Sequence, residues 1–157
     1  MSSSVSPRRI AIASDHAAYD MKAALVIWLR DAGHDVVDLG PNDTARVDYP
    51  DYGYALATAI ADDRAELGIA LCGSGIGIAI AVNRHPAMRC ALVSDGLSAR
   101  LAREHNDANV VALGARLIGI ETARDCVAQF LGTGFAGGRH ADRIVKLSNP
   151  PHAKDPA

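Results

Sequence analysis

"LGIALCGSGIGIAIAVNR", residues 67–84, holds an unbroken apolar run, a turn with closely spaced glycines, and a second apolar segment of helical length. Residues 67–72 do not alternate between apolar and polar, which is how a strand reads when both faces are covered in a parallel sheet. Gly73, Ser74 and Gly75 then turn the chain, and "IGIAIAVNR" (76–84) continues as a helix. One strand–turn–helix unit implies others. The same continuous pattern recurs in "RIAIAS" (9–14), "RCALVS" (89–94) and "NVVALG" (109–114), all read as strands covered on both faces. "DVVDLG" (35–40) is more polar and belongs near an edge.

Helical patterns lie between these runs. Met21, Leu25, Trp28, Leu29 and Ala32 recur at helical spacing, and Gly33 supplies a C-terminal stop. Further helices are expected over 52–63, 76–84, 96–105 and 120–131. Strand and helix alternate five times, which predicts a single-domain α/β fold: a three-layer αβα, Rossmann-like arrangement around a five-stranded parallel sheet, with right-handed crossovers. The domain is expected to span 9–147, between a flexible leader (1–8) and a disordered Pro-rich tail (148–157).

Composition narrows the function. The 157 residues suffice for one domain with a real core, and 49% are hydrophobic but only 4% aromatic. The core must therefore be built from Ala, Val, Ile and Leu. With so few rings to stack on bases, and a net charge of −2, a nucleic-acid role is not expected. A flavin sandwich is disfavoured for the same reason. No apolar run has membrane-spanning length, and "MSSSVSPRR" lacks the hydrophobic region of a secretory signal. Cys72, Cys90 and Cys126 are odd in number and show no CxxC spacing, which suggests free thiols in a reducing cytoplasm and no structural zinc.

In open α/β sheets, ligands bind beyond the carboxyl ends of the strands. The residues expected there are Ser14-Asp15-His16, Cys72 to Gly77, Ser94-Asp95 and Gly114 to Arg116. The glycine loop is not a dinucleotide fingerprint: Gly73 and Gly75 fit GxGxxG, but the third position is Ile78. Nor is it a Walker loop, because it has no lysine. What remains is a nest of backbone N–H groups at a helix N-terminus, able to hold a phosphate or to stabilise an oxyanion. Cys72 at its mouth would feel the same positive field, which favours a thiolate and suits it as a general base. The alternative is a small core residue at a strand end.

Five separated motifs carry a wider likeness. "SDHAAYDMK" (14–22), "VDYPDYG" (47–53), "CGSGIGIAIAVN" (72–83), "REHNDANV" (103–110) and "GGRHADR" (137–143) resemble, in order and spacing, the type B ribose-5-phosphate isomerase family over residues 9 to 147. The resemblance implies an aldose–ketose isomerase that works through a cis-enediolate, with no metal or organic cofactor. It implies Cys72 as the base at carbon 2, with the backbone from Gly73 through Ser74, Gly75 and Ile76 to Gly77 holding the enediolate oxygen. Relatives without the cysteine place a glutamate shortly afterwards, whereas this chain has Ile76 and no nearby acid, so it resembles the cysteine branch. The resemblance also implies Asp15 and His105 in ring opening, and Tyr49 and Asn106 on the sugar. It implies His16, Arg116, Arg139 and Arg143 on the phosphate, a role that arginine's planar fork suits. Arg139 and Arg143 share a face if their segment is helical.

His105 and Asn106 fall between the fourth helix and the fifth strand, at the amino end of the sheet. They are thus expected to serve a neighbouring subunit's site, so that a homodimer is the smallest active unit, with a tetramer open. His34 and His85 read as surface residues and His140 as a solvated helix position, while Cys90 and Cys126 read as core. Asp48 could orient Tyr49 or cap the "YPDYG" turn, with the cap favoured, and Asp95 could cap the following helix. Ribose 5-phosphate is the expected substrate. The alternatives are another phosphosugar (galactose 6-phosphate, allose 6-phosphate or a tetrose phosphate) or a binding module, which would not need Cys72, Asp15 and His105 together.

Overall fold

All five apolar runs become strands: β1 (Arg9–Ser14), β2 (Asp35–Asp38), β3 (Leu67–Cys72), β4 (Cys90–Leu92) and β5 (Val110–Gly114). They form one parallel sheet in the order β2-β1-β3-β5-β4, with Ile10 opposite Leu67 and Cys72 opposite Gly114. The computed structural model describes residues 5–151; positions 1–4 of the expected leader and 152–157 of the expected tail lie outside them. Of the rest of that leader, Val5 packs against the core and the Arg8 N–H donates to His34 Nδ1 at 3.2 Å.

Among the described residues there are six α-helices, α1 (Tyr19–Asp31), α2 (Tyr49–Ala61), α3 (Ile76–Asn83), α4 (Gly96–Asn106), α5 (Ile120–Leu131) and α6 (Arg139–Ser148), of which the last packs on α4. Gly33 ends α1 as expected. It takes φ +90°, its N–H reaches Arg30 O, and the His34 N–H reaches Leu29 O, which closes the last turn. Helix α2 starts three residues before its predicted start, because Pro50 falls in the first turn, where its missing N–H has no intrahelical partner to lose. Asp48 holds the N-cap position there without a side-chain cap bond, whereas Asp95 caps α4 through the Ser98 N–H at 2.7 Å.

The continuous apolar strands conceal an alternation of size. Ile10, Ile12, Ile69, Leu71, Val111 and Leu113 face one layer, where they pack with Leu25, Leu29 and Phe130 of α1 and α5. Ala11, Ala13, Ala70, Cys72 and Ala112 face the other, under Leu56, Ile78 and Val82 of α2 and α3. Small strand residues let that second pair of helices sit close. At Gly68 of β3 a Cβ would come within 2.8 Å of Ile60 of α2, and at Gly53, where α2 meets α3, one would come within 2.9 Å of Ala81.

Three expectations are corrected. Strand β4 is not covered on both faces: it is a three-residue edge strand, with Leu92 47% exposed. His34 is buried, because its ring accepts the Arg8 N–H, and burial lowers its pKa. His140 is buried as well, at 8% exposure, for a reason that belongs to the site. Sequence reading also passed over Lys22 of α1. Its Nζ is buried and paired with both carboxylate oxygens of Asp38, at 2.8 and 3.0 Å.

Candidate active site

Strand β3 delivers Cys72 to the carboxyl edge of the sheet, and the loop after it must turn at once into α3. Gly75 makes that turn in the left-handed region, with φ +76°. A Cβ there would fall 2.7 Å from Leu92 and 2.8 Å from the Leu113 backbone, so the position is closed to other residues. The Gly75 N–H donates to Cys72 Sγ at 3.1 Å, and the Ile76 N–H to Ser74 Oγ at 3.2 Å. The Arg116 N–H donates to Gly73 O at 2.9 Å, which ties the end of β5 to the same loop.

Cys72 opens on a cleft of about 560 Å³ shared with Asp15, Tyr49, Ser74, Gly77 and Arg116. Asp15 is buried, and its Oδ1 accepts the Ala17 and Ala18 N–H groups at 3.0 and 3.3 Å. It thereby caps the single 3-10 turn His16–Ala18 that leads into α1. His16 does not line the cleft; its Nδ1 lies 3.2 Å from both the N and the O of Val47. Burial pushes the other two thiols up, Cys90 to about 12 and Cys126 to about 11. Both are therefore protonated at neutral pH.

The remaining candidates assemble elsewhere. The His105 ring at the end of α4 stacks on that of His140 in α6, with centroids 4.4 Å apart and planes 13° from parallel. Arg139 and Arg143 sit exposed on α6 beside the pair. Burial, and then the charges of His105, Arg139 and Arg143, lower the pKa of His140. Asn106 lines a separate cavity of about 320 Å³ with Arg89, Cys90 and Leu147. This cluster sits where α4 leads into β5, and β5 runs from Val110 to its partner of Cys72 at Gly114, about 13 Å of strand. The structure therefore brings Asp15, Tyr49, Cys72 to Gly77 and Arg116 together, and holds His105, Asn106, Arg139 and Arg143 at the opposite edge.

Sequence reading missed the burial of His140 because "GGRHADR" shows no apolar stripe that would mark an inward face. It also missed the apolar rim of the cleft, where Ile76, Ile80 and Leu117 are 50%, 56% and 67% exposed.

Gly77 offers a local test. A Cβ at this position would meet the Tyr49 ring at 2.6 Å. Tyr49 is 41% exposed and can swing away, and alanine favours the α3 helix by about 1 kcal/mol, so Gly77→Ala should keep its melting temperature. The displaced ring should nonetheless lower kcat/KM by about tenfold or more. Steady-state kinetics beside a thermal melt would check this, and an unchanged kcat/KM would remove Tyr49 from the substrate's surroundings.

Comparison with known proteins gives the family and agrees with the fold. Residues 10–147 match the family model described as Ribose/Galactose Isomerase. Ribose-5-phosphate isomerase B of Escherichia coli is 39% identical over 141 residues, covering 90% of this chain and 95% of that one. D-erythrulose-4-phosphate isomerase of Pectobacterium atrosepticum is 40% identical over 144 residues, covering 91% and 95%. Among solved structures, a ribose 5-phosphate isomerase of Thermotoga maritima superposes with a TM-score of 0.88 at 46% identity, covering 90% of this chain and 97% of that one. The chain belongs to the ribose/galactose isomerase family of sugar-phosphate isomerases.

Proposed function

We propose that the protein interconverts D-ribose 5-phosphate and D-ribulose 5-phosphate in the cytoplasm, without metal or cofactor, as a homodimer whose two sites are each built from both chains. The observation that carries this reading is the division of the site. One edge of the sheet holds a thiol and a backbone nest around a cleft, and the other holds two histidines and two arginines away from that cleft. A second copy joins the two halves. The apolar surface formed by Ile76, Ile80 and Leu92 is what such a copy would cover.

The chemistry follows from the residues. Asp15 and the second copy's His105 move a proton between the anomeric hydroxyl and the ring oxygen, opening the furanose. The Cys72 thiolate then takes the proton from carbon 2, and the electron pair moves into a carbon 1–carbon 2 double bond, leaving negative charge on the carbonyl oxygen. Because the Gly75 and Ile76 N–H groups are already engaged, that oxygen draws on the other loop amides, those of Gly73, Ser74 and Gly77. Return of the proton to carbon 1, with transfer of the hydroxyl proton from oxygen 2 to oxygen 1, gives the ketose. Arg116 and the second copy's Arg139 and Arg143 hold the phosphate, and His16 offers its Nε2. Tyr49 and the second copy's Asn106 face the hydroxyls.

Relatives named for a pentose phosphate and for a tetrose phosphate are 39% and 40% identical to this chain, so the substrate has to be assigned by assay. Conversion of ribose 5-phosphate to ribulose 5-phosphate with a chelator present tests the proposal. Turnover is expected. Faster turnover of a four- or six-carbon phosphosugar would overturn the substrate, and binding without turnover of any phosphosugar would leave a binding module.

A further inference from the structure

The ion pair between the buried Lys22 and the partly exposed Asp38 has no place in the chemistry above, yet it closes a network around Asp15. The Lys22 side chain is 2% exposed, and its Nζ bonds both oxygens of Asp38. Asp38 Oδ1 also accepts the Gly40 N–H at 3.0 Å, and Gly40 O accepts the Ser14 N–H at 3.1 Å. One carboxylate thus fastens both flanks of the turn that carries Asp15: the residue before it, through Gly40, and the first turns of α1, through Lys22. Two more bonds join the same segments, from Tyr19 Oη to Asn42 O at 3.3 Å and between His16 Nδ1 and the Val47 backbone. An ion pair with only its ammonium buried is weak as a source of stability, because the cost of desolvating Lys22 offsets its attraction to a carboxylate that water still reaches. Geometry is what it can enforce.

We infer that Lys22 and Asp38 are positioning residues that hold the Asp15 carboxylate at the angle needed for ring opening, acting through the Ser14–Gly40 bond and the first turns of α1. Neither touches the cleft. Their effect is confined to the step in which Asp15 moves a proton, and the Cys72 step does not depend on them. The inference rests on the ring-opening role proposed above for Asp15.

The experiment separates the two steps. Ribulose 5-phosphate carries its phosphate on the oxygen that a five-membered ring would need, so it stays open, and exchange of its carbon 1 hydrogen in heavy water reads the Cys72 step alone. Lys22→Met is the direct variant. Lys22→Met/Asp38→Asn also removes the stranded carboxylate charge and keeps an acceptor for the Gly40 N–H, so it should fold. Both should turn over ribose 5-phosphate about tenfold or more slowly, while exchange into ribulose 5-phosphate stays at the wild-type rate. Asp15→Asn is the reference and should show the same split. If Asp15→Asn splits the two rates and a folded Lys22 variant does not, the positioning role is overturned while the role of Asp15 stands. If Asp15→Asn slows both rates equally, the ring-opening reading fails and the positioning role fails with it.

Discussion

Cys72→Ala is expected to abolish turnover of ribose 5-phosphate while leaving its binding close to wild type. A positioned general base contributes about 10²–10⁴-fold, so a loss of about 10³-fold is expected in kcat. Burial rules out the obvious substitutes: the other two thiols are held protonated at neutral pH, and neither lines the cleft. Binding should survive because the proposed phosphate contacts come from arginine side chains and from the second copy. The substitution removes one buried sulfur and frees the Gly75 N–H that Sγ accepts, a change the loop can absorb because its turn depends on Gly75 and Gly114. Calorimetric binding of ribose 5-phosphate, beside an assay with chelator present, separates the two quantities. A variant that keeps turning substrate over would place the base elsewhere. One that loses binding and turnover together would make Cys72 a structural residue.

The second large effect is a gain. His105→Ala alone should be nearly inactive, as should Cys72→Ala, yet the two mixed by co-refolding should recover activity. Random pairing makes half of the dimers mixed, and each of those has one intact site of two, so about a quarter of wild-type activity returns. The intact site takes Cys72 from one chain and His105 from the other. If the two residues worked within one chain, every chain in the mixture would carry a defect and nothing would return. The separation of Cys72 and His105 across the length of β5 is why recovery is expected.

Local patterns carried most of the architecture. Strands β1 and β3 begin and end where their apolar runs do, because a buried parallel strand needs covering on both faces and has no polar alternation to blur its ends. The polar composition of "DVVDLG" marked an edge strand, and β2 lies at the edge. The opposite edge was misread for an instructive reason. "RCALVS" is as apolar as a central strand, yet β4 has one lateral neighbour and Leu92 stands exposed. An apolar run reports that a segment is to be covered, without saying whether its own chain does the covering.

The side chains of the site divide in the same way. Cys72, the glycines after it, Asp15 and Arg116 were legible because strand ends and helix starts place neighbours in sequence at one edge of the sheet. The fate of His140, His34 and Lys22 was not, since each depends on a partner far along the chain: His105, Arg8 and Asp38. By itself the sequence determined the strand and helix order, the glycine turn and the edge on which Cys72 opens, all of them set by local periodicity and backbone sterics. Only the tertiary structure decided which polar groups are buried and that the proposed site lies in two halves on opposite edges of one sheet. Burial and distance are properties of packed surfaces, and they exist only once segments remote in sequence have met.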